Sequence, residues 1–526
     1  MHMKWNSLAK AFFALLSFTG LAFAVCLLLA SVSVIGLAIS SAVGYGLAVF
    51  MVWLVFEALG RFGGDRLRRS EPWLIMAFFL VVYVVFMFLV PELGQRRMPY
   101  DSLRAQKSLE AGCIAFFRPQ RLYYWINYDL VLSILGKVFA PKLIVGQMLN
   151  AICRALALYP VFRLGERVAG RRMARFTVIL LAMSPTLTLY SSTLVGDFIA
   201  AMFYLYAAYF FLTRSKWDGV SGDNLVLWCV VGMLAGLGYV FKSISILFFA
   251  ALVAWLVKVV FQARRRKVAV LALLALFVVG AAHEAVKTMR TRVIEAAGEI
   301  AQVDVNVRSS LAGGLLYEIW MGMSIQTGGW YSPQRDKAFG SAVPRKKIEM
   351  VCKMLVDDMW KFPGFLVWKF KALWGSNDSP GSVLYWFRKS CQDDCYDTKA
   401  SNYCVAWLQP LLRAEHLFFS VVFLLGAGGL AVSLRKQGDS QGTGIVSIVM
   451  VLSFAALSLI IETQGRYRTA IYPFFFLILP YAHFLFMKVS PLRARIAACL
   501  RKGAPQRTGS RASGSRRVPA RIKAVV

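Results

Sequence analysis

The sequence predicts an all-α membrane protein that crosses the bilayer many times. The chain has 526 residues, of which 58% are hydrophobic, and its mean hydropathy is +0.59. Apolar runs of about 18 to 25 residues recur along the chain, and each is long enough to cross a hydrocarbon core about 30 Å thick. A soluble protein could not keep so apolar a surface in water.

The distribution of charge indicates membrane topology rather than nucleic-acid binding. The formal net charge is +33, from 60 Lys and Arg against 27 Asp and Glu. The basic residues cluster in short runs between apolar segments, as the positive-inside rule expects of cytoplasmic loops. These clusters are residues 61–70, 163–175, 263–267 and the tail from Arg493 to Lys523. We interpret the tail as a disordered cytoplasmic segment that orients the chain, with contact to anionic lipids as the alternative.

About twelve membrane spans account for the apolar runs if the amino terminus is cytoplasmic. The first run resembles a signal peptide, but no cleavage site is evident, and we expect it to be retained as the first helix. With both termini inside, every strongly basic short loop falls on the cytoplasmic side. The predicted spans are residues 8–30, 33–57, 72–90, 143–161, 176–192, 194–213, 225–242, 244–261, 268–284, 414–434, 444–462 and 470–488.

This topology divides the chain into six segments. They are N-terminal transmembrane helices (1–90), a first external loop with amphipathic juxtamembrane helices (91–142), central transmembrane helices (143–284), a small external domain (285–413), C-terminal transmembrane helices (414–490) and a basic cytoplasmic tail (491–526). Within the external domain, Trp360, Trp368 and Trp374 suit a helix at a membrane interface.

The external domain also contains a cluster of cysteines, Cys391, Cys395 and Cys404. On the oxidising side of a membrane these residues are candidates for one disulfide, whose pairing the sequence leaves open. No histidine accompanies them, which disfavours zinc at this cluster.

A set of charged side chains falls at the external ends of the predicted spans, where a polar group is costly unless it has a partner or a function. The set comprises Asp101 in the first loop, Asp197 in a tight turn, Lys242 at the end of the seventh span, His283 and Glu284 at the end of the ninth, and Glu462, Arg466 and Arg468 in the last external turn. Because they share one face, carboxylates and cations would border one external cavity.

Each member of this set also has a structural interpretation. Asp101 can be a helix N-cap, and Asp197 can be a turn residue. Lys242 and the arginine pair can be interfacial anchors that snorkel to the headgroups. His283 and Glu284 can be boundary residues of a span.

The external set suits transfer of a sugar from a lipid phosphate. Cations hold the phosphate as negative charge develops on the leaving group. A positioned carboxylate takes the proton of the acceptor hydroxyl. Since phosphate is a good leaving group, no general acid is obligatory, and a single base on the opposite face predicts inversion at the sugar carbon.

Four regions of the chain carry a family resemblance. They are "YDSLRAQKSLEAG" (100–112), "FFRPQRLYYWINYDLVLSILGKVF" (116–139), residues 149–198, and "GMLAGLGYVFKSIS" together with "ETQGRYRTAIYPFFFLILPY" (462–481). In this order they resemble the GT-C superfamily of polyprenyl-phosphate-sugar-dependent glycosyltransferases. Within it, the chain is similar to glycosyltransferase family 39, which includes protein O-mannosyltransferases and the lipid A aminoarabinose transferase.

The resemblance implies a GT-C-type helical bundle and a role for each matching residue. Asp101 would be the catalytic base or orient the acceptor, and Asp197 would be a second acidic site residue. Lys242 would bind the lipid phosphate with Arg466 or Arg468. Residues that would line the site are Arg118, Tyr124, His283, Glu284 and Glu462. Ser102 stands where the family commonly has Glu, which leaves the acceptor class and a divalent metal open.

The sequence therefore predicts an inverting membrane glycosyltransferase with its active site on the external face. Its partners would be a polyprenyl-phosphate sugar, the bilayer and an extracytoplasmic acceptor, and no nucleic acid. One alternative is a secondary transporter, although the middle linker (213–224) is short and no internal repeat is evident. Another is a GT-C-like ligase or polymerase with a diphosphate-linked donor. A third is a scaffolding protein, which would leave the external charges without a purpose.

Overall fold

The computed structural model describes residues 35–62, 65–89, 122–139, 143–191, 194–217, 219–263, 265–300, 311–327, 332–375, 398–434, 441–461 and 469–487. These stretches are helical and contain no strand. Eight of their helices are long and apolar enough to cross a membrane. The predicted all-α membrane class is confirmed for this part of the chain, and the span predicted at 8–30 lies outside it.

The first half of the described chain consists of long helices joined by short connections. They are α1 (Ile35–Phe62), α2 (Asp65–Leu89), α3 (Leu122–Val138), α4 (Leu143–Ala182), α5 (Pro185–Ser191), α6 (Asp197–Arg214), α7 (Gly222–Phe241), α8 (Ser245–Ala263) and α9 (Arg266–Ile300). Helix α9 is longer than the span predicted at 268–284, because its helical backbone continues through a more polar sequence.

The second half begins with short helices and ends with two membrane helices and a short helical segment. They are α10 (Leu311–Gly322), α11 (Pro333–Ser341), α12 (Pro344–Asp357), α13 (Phe362–Phe370), α14 (Thr398–Ser433), α15 (Gln441–Ile460) and α16 (Tyr472–Phe476). The span predicted at 414–434 is the latter part of α14. The segment predicted at 470–488 is a shorter apolar helical segment that contains α16.

Helix α4 consists of two antiparallel arms rather than one rod. Ala169 (φ −139°, ψ 19°) and Gly170 (φ 76°, ψ 173°) have non-helical backbone angles. Glycine adopts a positive φ readily because it has no Cβ. The chain then folds back, since a Cβ on Gly165 would lie only 3.3 Å from the Cα of Ala174. The two arms correspond to the spans predicted at 143–161 and 176–192, with the basic turn between them.

A buried arginine joins the second arm of α4 to α1 and α2. Arg175 donates hydrogen bonds to Glu57 of α1 and to Glu71 of α2. Arg172 adds an ion pair to Glu57 at 3.4 Å. Because a buried charge is tolerated only when it is paired, this cluster fixes three helices together next to the basic turn.

A second buried network holds the break between α4 and α5. Helix ends leave carbonyl groups without helical partners. Nη2 of Arg154 donates to the carbonyl oxygens of Ala182 at 2.8 Å and Ser184 at 3.3 Å. Glu415 of α14 accepts from the backbone N–H of Thr186 at 2.9 Å and from the hydroxyls of Ser184 and Thr186. Arg154 therefore joins the break to the first arm of α4, and Glu415 joins it to α14.

Candidate active site

Two of the predicted site residues form an ion pair at one end of the bundle. Asp197 is the first residue of α6, and Lys242 directly follows α7. The Nζ atom of Lys242 lies 2.9 Å from Oδ1 of Asp197, and the two side chains are 17% and 6% exposed. Helices α6 and α7 are sequential neighbours joined by a short loop, so the start of one meets the end of the other.

The backbone around Lys242 is held in place by α6. The N–H of Lys242 donates to the Gly238 carbonyl at 2.9 Å, and the Tyr204 hydroxyl donates to the Lys242 carbonyl at 3.0 Å. A Cβ on Gly238 would lie 2.9 Å from the Tyr204 ring. Glycine at position 238 thus lets the tyrosine ring approach the end of α7 closely enough to reach Lys242.

The position of Asp197 stabilises its negative charge in two ways. In the first turn of α6 the carboxylate lies at the positive end of the helix dipole. The ammonium group of Lys242 supplies a full opposite charge at hydrogen-bonding distance. We therefore interpret Asp197 as a residue that holds and orients Lys242, in addition to its turn position.

A tyrosine of α3 lies close to this pair. The buried hydroxyl of Tyr128 donates to Oδ1 of Asn150 at 3.3 Å. Burial raises the pKa of Tyr128 well above its ordinary value, and the charges of Cys153, Asp129 and Asp197 raise it further. Tyr128 is therefore a neutral hydroxyl at neutral pH. The sequence analysis did not select Tyr128, although a Tyr-Asp pair inside the apolar helix α3 is a usable signal.

His283 and Glu284 lie on α9 beside the last turn of α7. The His283 ring packs at 5.5 Å from the Tyr239 ring and at 5.2 Å from the Phe249 ring. Glu284 has a side chain that is 59% exposed and pairs with Lys287 at 3.0 Å. The predicted site-lining role of both residues stays a prediction.

The other predicted site residues lie wholly or partly outside the described residues. Those wholly outside are Asp101, Arg118, Glu462, Arg466 and Arg468, together with Cys391 and Cys395. Tyr124 belongs to α3 and Cys404 to α14, and for both only the backbone is described. Their predicted roles stay predictions.

The described ends on either side of residues 462–468 are both anchored. The carbonyl of Ile461 accepts a hydrogen bond from the Lys369 ammonium at 2.6 Å. Thr469 is 1% exposed, and it lines a small cavity together with Arg154 of α4 and Phe198 of α6. Since Phe198 follows Asp197 directly, the end of the chain segment at Thr469 lies on the Asp197 side of the bundle.

The described part of the chain contains no group of three His, Cys, Asp or Glu side chains that could hold a metal ion. At Asp197 the neighbouring positive charge is the Lys242 ammonium. A metal that also required Asp101 stays a prediction, because that residue is not among those described.

These features define a polytopic helical membrane protein with a charged site where helix ends meet. Residues 124–283 match the family described as dolichyl-phosphate-mannose-protein mannosyltransferase. The match includes both members of the Asp197–Lys242 pair, and it confirms the predicted resemblance over this part of the chain. No curated protein sequence matches the chain.

Solved structures of similar proteins include three with 14% to 16% sequence identity. The archaeal oligosaccharyltransferase AglB from Archaeoglobus fulgidus, in complex with an inhibitory peptide and a dolichol-phosphate, is 14% identical, with a TM-score of 0.39 over 84% of this chain and 53% of that chain. The Archaeoglobus fulgidus oligosaccharyltransferase in complex with Zn and sulfate is 16% identical, with a TM-score of 0.39 over 82% and 51%. ArnT from Cupriavidus metallidurans, bound to undecaprenyl phosphate, is 14% identical, with a TM-score of 0.33 over 82% and 81%. The chain spans about half the length of the oligosaccharyltransferases that it matches.

Proposed function

We propose that the protein is an inverting membrane glycosyltransferase that moves one hexose or pentose from a polyprenyl phosphate to an extracytoplasmic acceptor. The acceptor is a cell-envelope glycan, a glycolipid or a protein. One observation carries the proposal: the match to a family that uses a lipid-phosphate-linked sugar includes Asp197 and Lys242, which the fold brings within 2.9 Å of each other.

Lys242 has the chemistry needed to bind the lipid phosphate. The ammonium group of Lys242 has three N–H donors and lies 2.9 Å from Oδ1 of Asp197. The side chain is 17% exposed, so a phosphate oxygen can approach it. A donor of this kind stabilises the charge that grows on the phosphate as the sugar leaves.

The remaining roles follow from the family resemblance. Asp101 takes the proton of the acceptor hydroxyl, and Arg466 or Arg468 shares the phosphate with Lys242. Attack by the acceptor on the face opposite the phosphate inverts the sugar carbon. Both termini are cytoplasmic, and the site is on the external face of the cell membrane.

The test uses the purified full chain in lipid nanodiscs with a panel of polyprenyl-phosphate sugars, and it measures release of the polyprenyl phosphate. Wild type consumes at least one donor, and Asp101→Asn abolishes turnover. Lys242→Met lowers kcat/KM about 100-fold, as expected for loss of one charged donor to the transition state. The matched control is Lys287→Met, since Lys287 is also a lysine paired with a carboxylate, and it keeps activity within about 3-fold.

Four results would contradict this proposal or part of it. If no donor is consumed, or if Asp101→Asn turns over as fast as wild type, the protein is not this enzyme. Full activity after Arg466→Gln and Arg468→Gln together removes the arginines from phosphate binding. Uptake of a solute into vesicles without cleavage of any sugar donor would favour the alternative function, a secondary transporter.

A further inference from the structure

The exposed face of α13 is apolar. Within Phe362–Phe370 the exposed residues are Pro363, Gly364, Val367 and Trp368, and Lys371 continues the series just beyond the helix. Their spacing places them on one side of the helix. Val367 is 57% exposed and Trp368 is 42% exposed. This side of the helix carries no acidic residue.

The opposite face of α13 is fixed to the end of a membrane helix. Lys369 is 0% exposed, and its Nζ donates to the carbonyl oxygens of Ile461 at 2.6 Å and Gly322 at 2.8 Å. Ile461 directly follows α15, whose residues Gln441–Ile460 are long and apolar enough to span a membrane. The middle of α13 therefore lies at the level where α15 ends.

The chain after α13 extends further along α15. Trp374 is 4% exposed, and its ring lies 6.2 Å from the ring of Phe454 at 79°. Phe454 precedes Ile461 by seven residues, which corresponds to about 10 Å at 1.5 Å per residue. The ring of Trp374 thus lies beside α15 about 10 Å from its end, which is about the depth to which interfacial helices bury their apolar faces.

The exposed face of α13 lies on the same side of the bundle as the candidate active site. The chain leaves α15 at Ile461 and returns at Thr469, which shares a cavity with Phe198. Helix α15 and the segment after Thr469 are antiparallel, because the N–H of Gly444, near the start of α15, donates to the hydroxyl of Tyr481 at 2.8 Å. The end of α15 is therefore on the Asp197 side.

We propose that α13 is an interfacial membrane helix, and that Pro363, Gly364, Val367 and Trp368 lie in the lipid on the active-site side of the bilayer. The partner is the lipid surface itself, because Lys369 fixes α13 at the end of a helix that is long and apolar enough to span a membrane. Trp368 has the amphipathic ring that favours the headgroup level, and Lys371 can extend its ammonium group to the headgroups. The proposal does not depend on the glycosyltransferase function.

The experiment places a nitroxide at Val367→Cys in the full chain, in nanodiscs of phosphatidylcholine and phosphatidylglycerol. The background replaces Cys229 and Cys352, the exposed cysteines among the described residues, with serine, and its own label signal is subtracted. The matched control site is Lys346→Cys, an exposed position in the basic first turn of α12. The measurement compares how often the nitroxide collides with oxygen, which partitions into lipid, and with a water-soluble nickel chelate. We expect nickel accessibility at position 367 to be at least 5-fold lower than at position 346.

A second measurement avoids the cysteine substitutions. The emission of Trp368 is the difference between the spectra of wild type and Trp368→Phe, a variant that keeps an apolar ring. Lipids brominated in the upper part of their acyl chains should quench at least half of this difference emission. Equal nickel accessibility at positions 367 and 346, or a difference emission that brominated lipids leave unchanged, would overturn the proposal. Either result would assign the face to water or to a protein partner.

Discussion

Arg154 is a cation inside a membrane helix, and its contacts show why the fold tolerates it. The residue is 4% exposed in the first arm of α4. A charged side chain at this depth costs several kcal/mol unless it is paired. Two carbonyl groups at the α4–α5 break accept its hydrogen bonds, its guanidinium lies 4.0 Å from the centre of the Tyr83 ring, and its charge interacts with that of Glu415.

The first prediction at the residue scale is that Arg154→Leu destabilises the protein strongly. The substitution leaves the Ala182 and Ser184 carbonyls without this donor and Glu415 as a buried charge without its cation. We expect the free energy of unfolding to fall by about 3 kcal/mol or more. The measurement is thermal or denaturant unfolding in detergent micelles.

Two further variants distinguish this explanation from a general effect of losing an arginine. Arg163→Leu removes a guanidinium that pairs with Glu166 at 3.0 Å in a partly exposed position, and it should cost no more than about 1 kcal/mol. The double variant Arg154→Leu with Glu415→Gln should recover part of the loss, because no unpaired charge then remains. If Arg154→Leu and Arg163→Leu unfold alike, the buried network does not stabilise the break.

The sequence predicts the ion pair better than it predicts the Arg154 network. Asp197 and Lys242 stand out because each interrupts or ends an apolar run, and helices that follow one another place such ends together. Glu415 also interrupts an apolar run, but nothing local links it to Arg154, which lies in a different helix far away in the sequence. The approach of Arg154 and Glu415 to the same helix break depends on how α14 packs against α4, which residue spacing does not encode.

At the scale of whole helices, α14 packs on the last helical segment through glycine. A Cβ on Gly429 would lie 1.8 Å from the carbonyl oxygen of Tyr481, and one on Gly426 would lie 2.6 Å from that of Ile478. Small residues let helix backbones approach closely in membranes, where packing rather than the hydrophobic effect drives association. These two glycines therefore set the distance between α14 and the helical segment that contains Ile478 and Tyr481.

The prediction at this scale compares two glycine-to-alanine substitutions. Gly429→Ala forces the two backbones apart and should lower the free energy of unfolding by about 1–3 kcal/mol. Gly280→Ala, in α9, adds a methyl group that meets nothing within 4 Å, and it should be neutral or stabilising by up to about 1 kcal/mol. Unfolding in detergent measures both. Equal effects at the two positions would show that helix propensity, and not the close approach, decides stability at Gly429.

The positions of the described membrane helices are readable from the sequence, whereas their lengths are not. The apolar runs located α7, α8 and α15 and the two arms of α4, because hydrophobic length is what a bilayer selects. Helices α9 and α14 extend beyond their apolar runs, to Ile300 and back to Thr398. The residues there are polar enough to leave the lipid but still favour helix, so the hydropathy signal ends before the helix does.

At the scale of the whole molecule, charge is distributed unequally between the two ends of the bundle. Arg171, Arg172 and Arg175 lie in the second arm of α4 just after its turn, and Arg266 and Lys267 begin α9. The opposite end carries the Asp197–Lys242 pair. From the positive-inside rule we predict that the arginine-rich end faces the cytoplasm. This orientation places the candidate site outside, as the proposed use of an extracytoplasmic acceptor requires.

The last prediction tests this orientation with two cysteines, each introduced separately into the Cys229→Ser, Cys352→Ser background. Val220→Cys lies in the loop between α6 and α7, where the side chain is 60% exposed. Ser243→Cys is exposed in the turn that follows Lys242. Since these turns cap opposite ends of α7, a membrane-impermeant maleimide should label Ser243→Cys in intact cells. It should label Val220→Cys only after permeabilisation. Labelling of the parent background, which has neither introduced cysteine, is subtracted from both signals. The reverse pattern would place Asp197 and Lys242 in the cytoplasm, where a donor used outside the cell could not reach them.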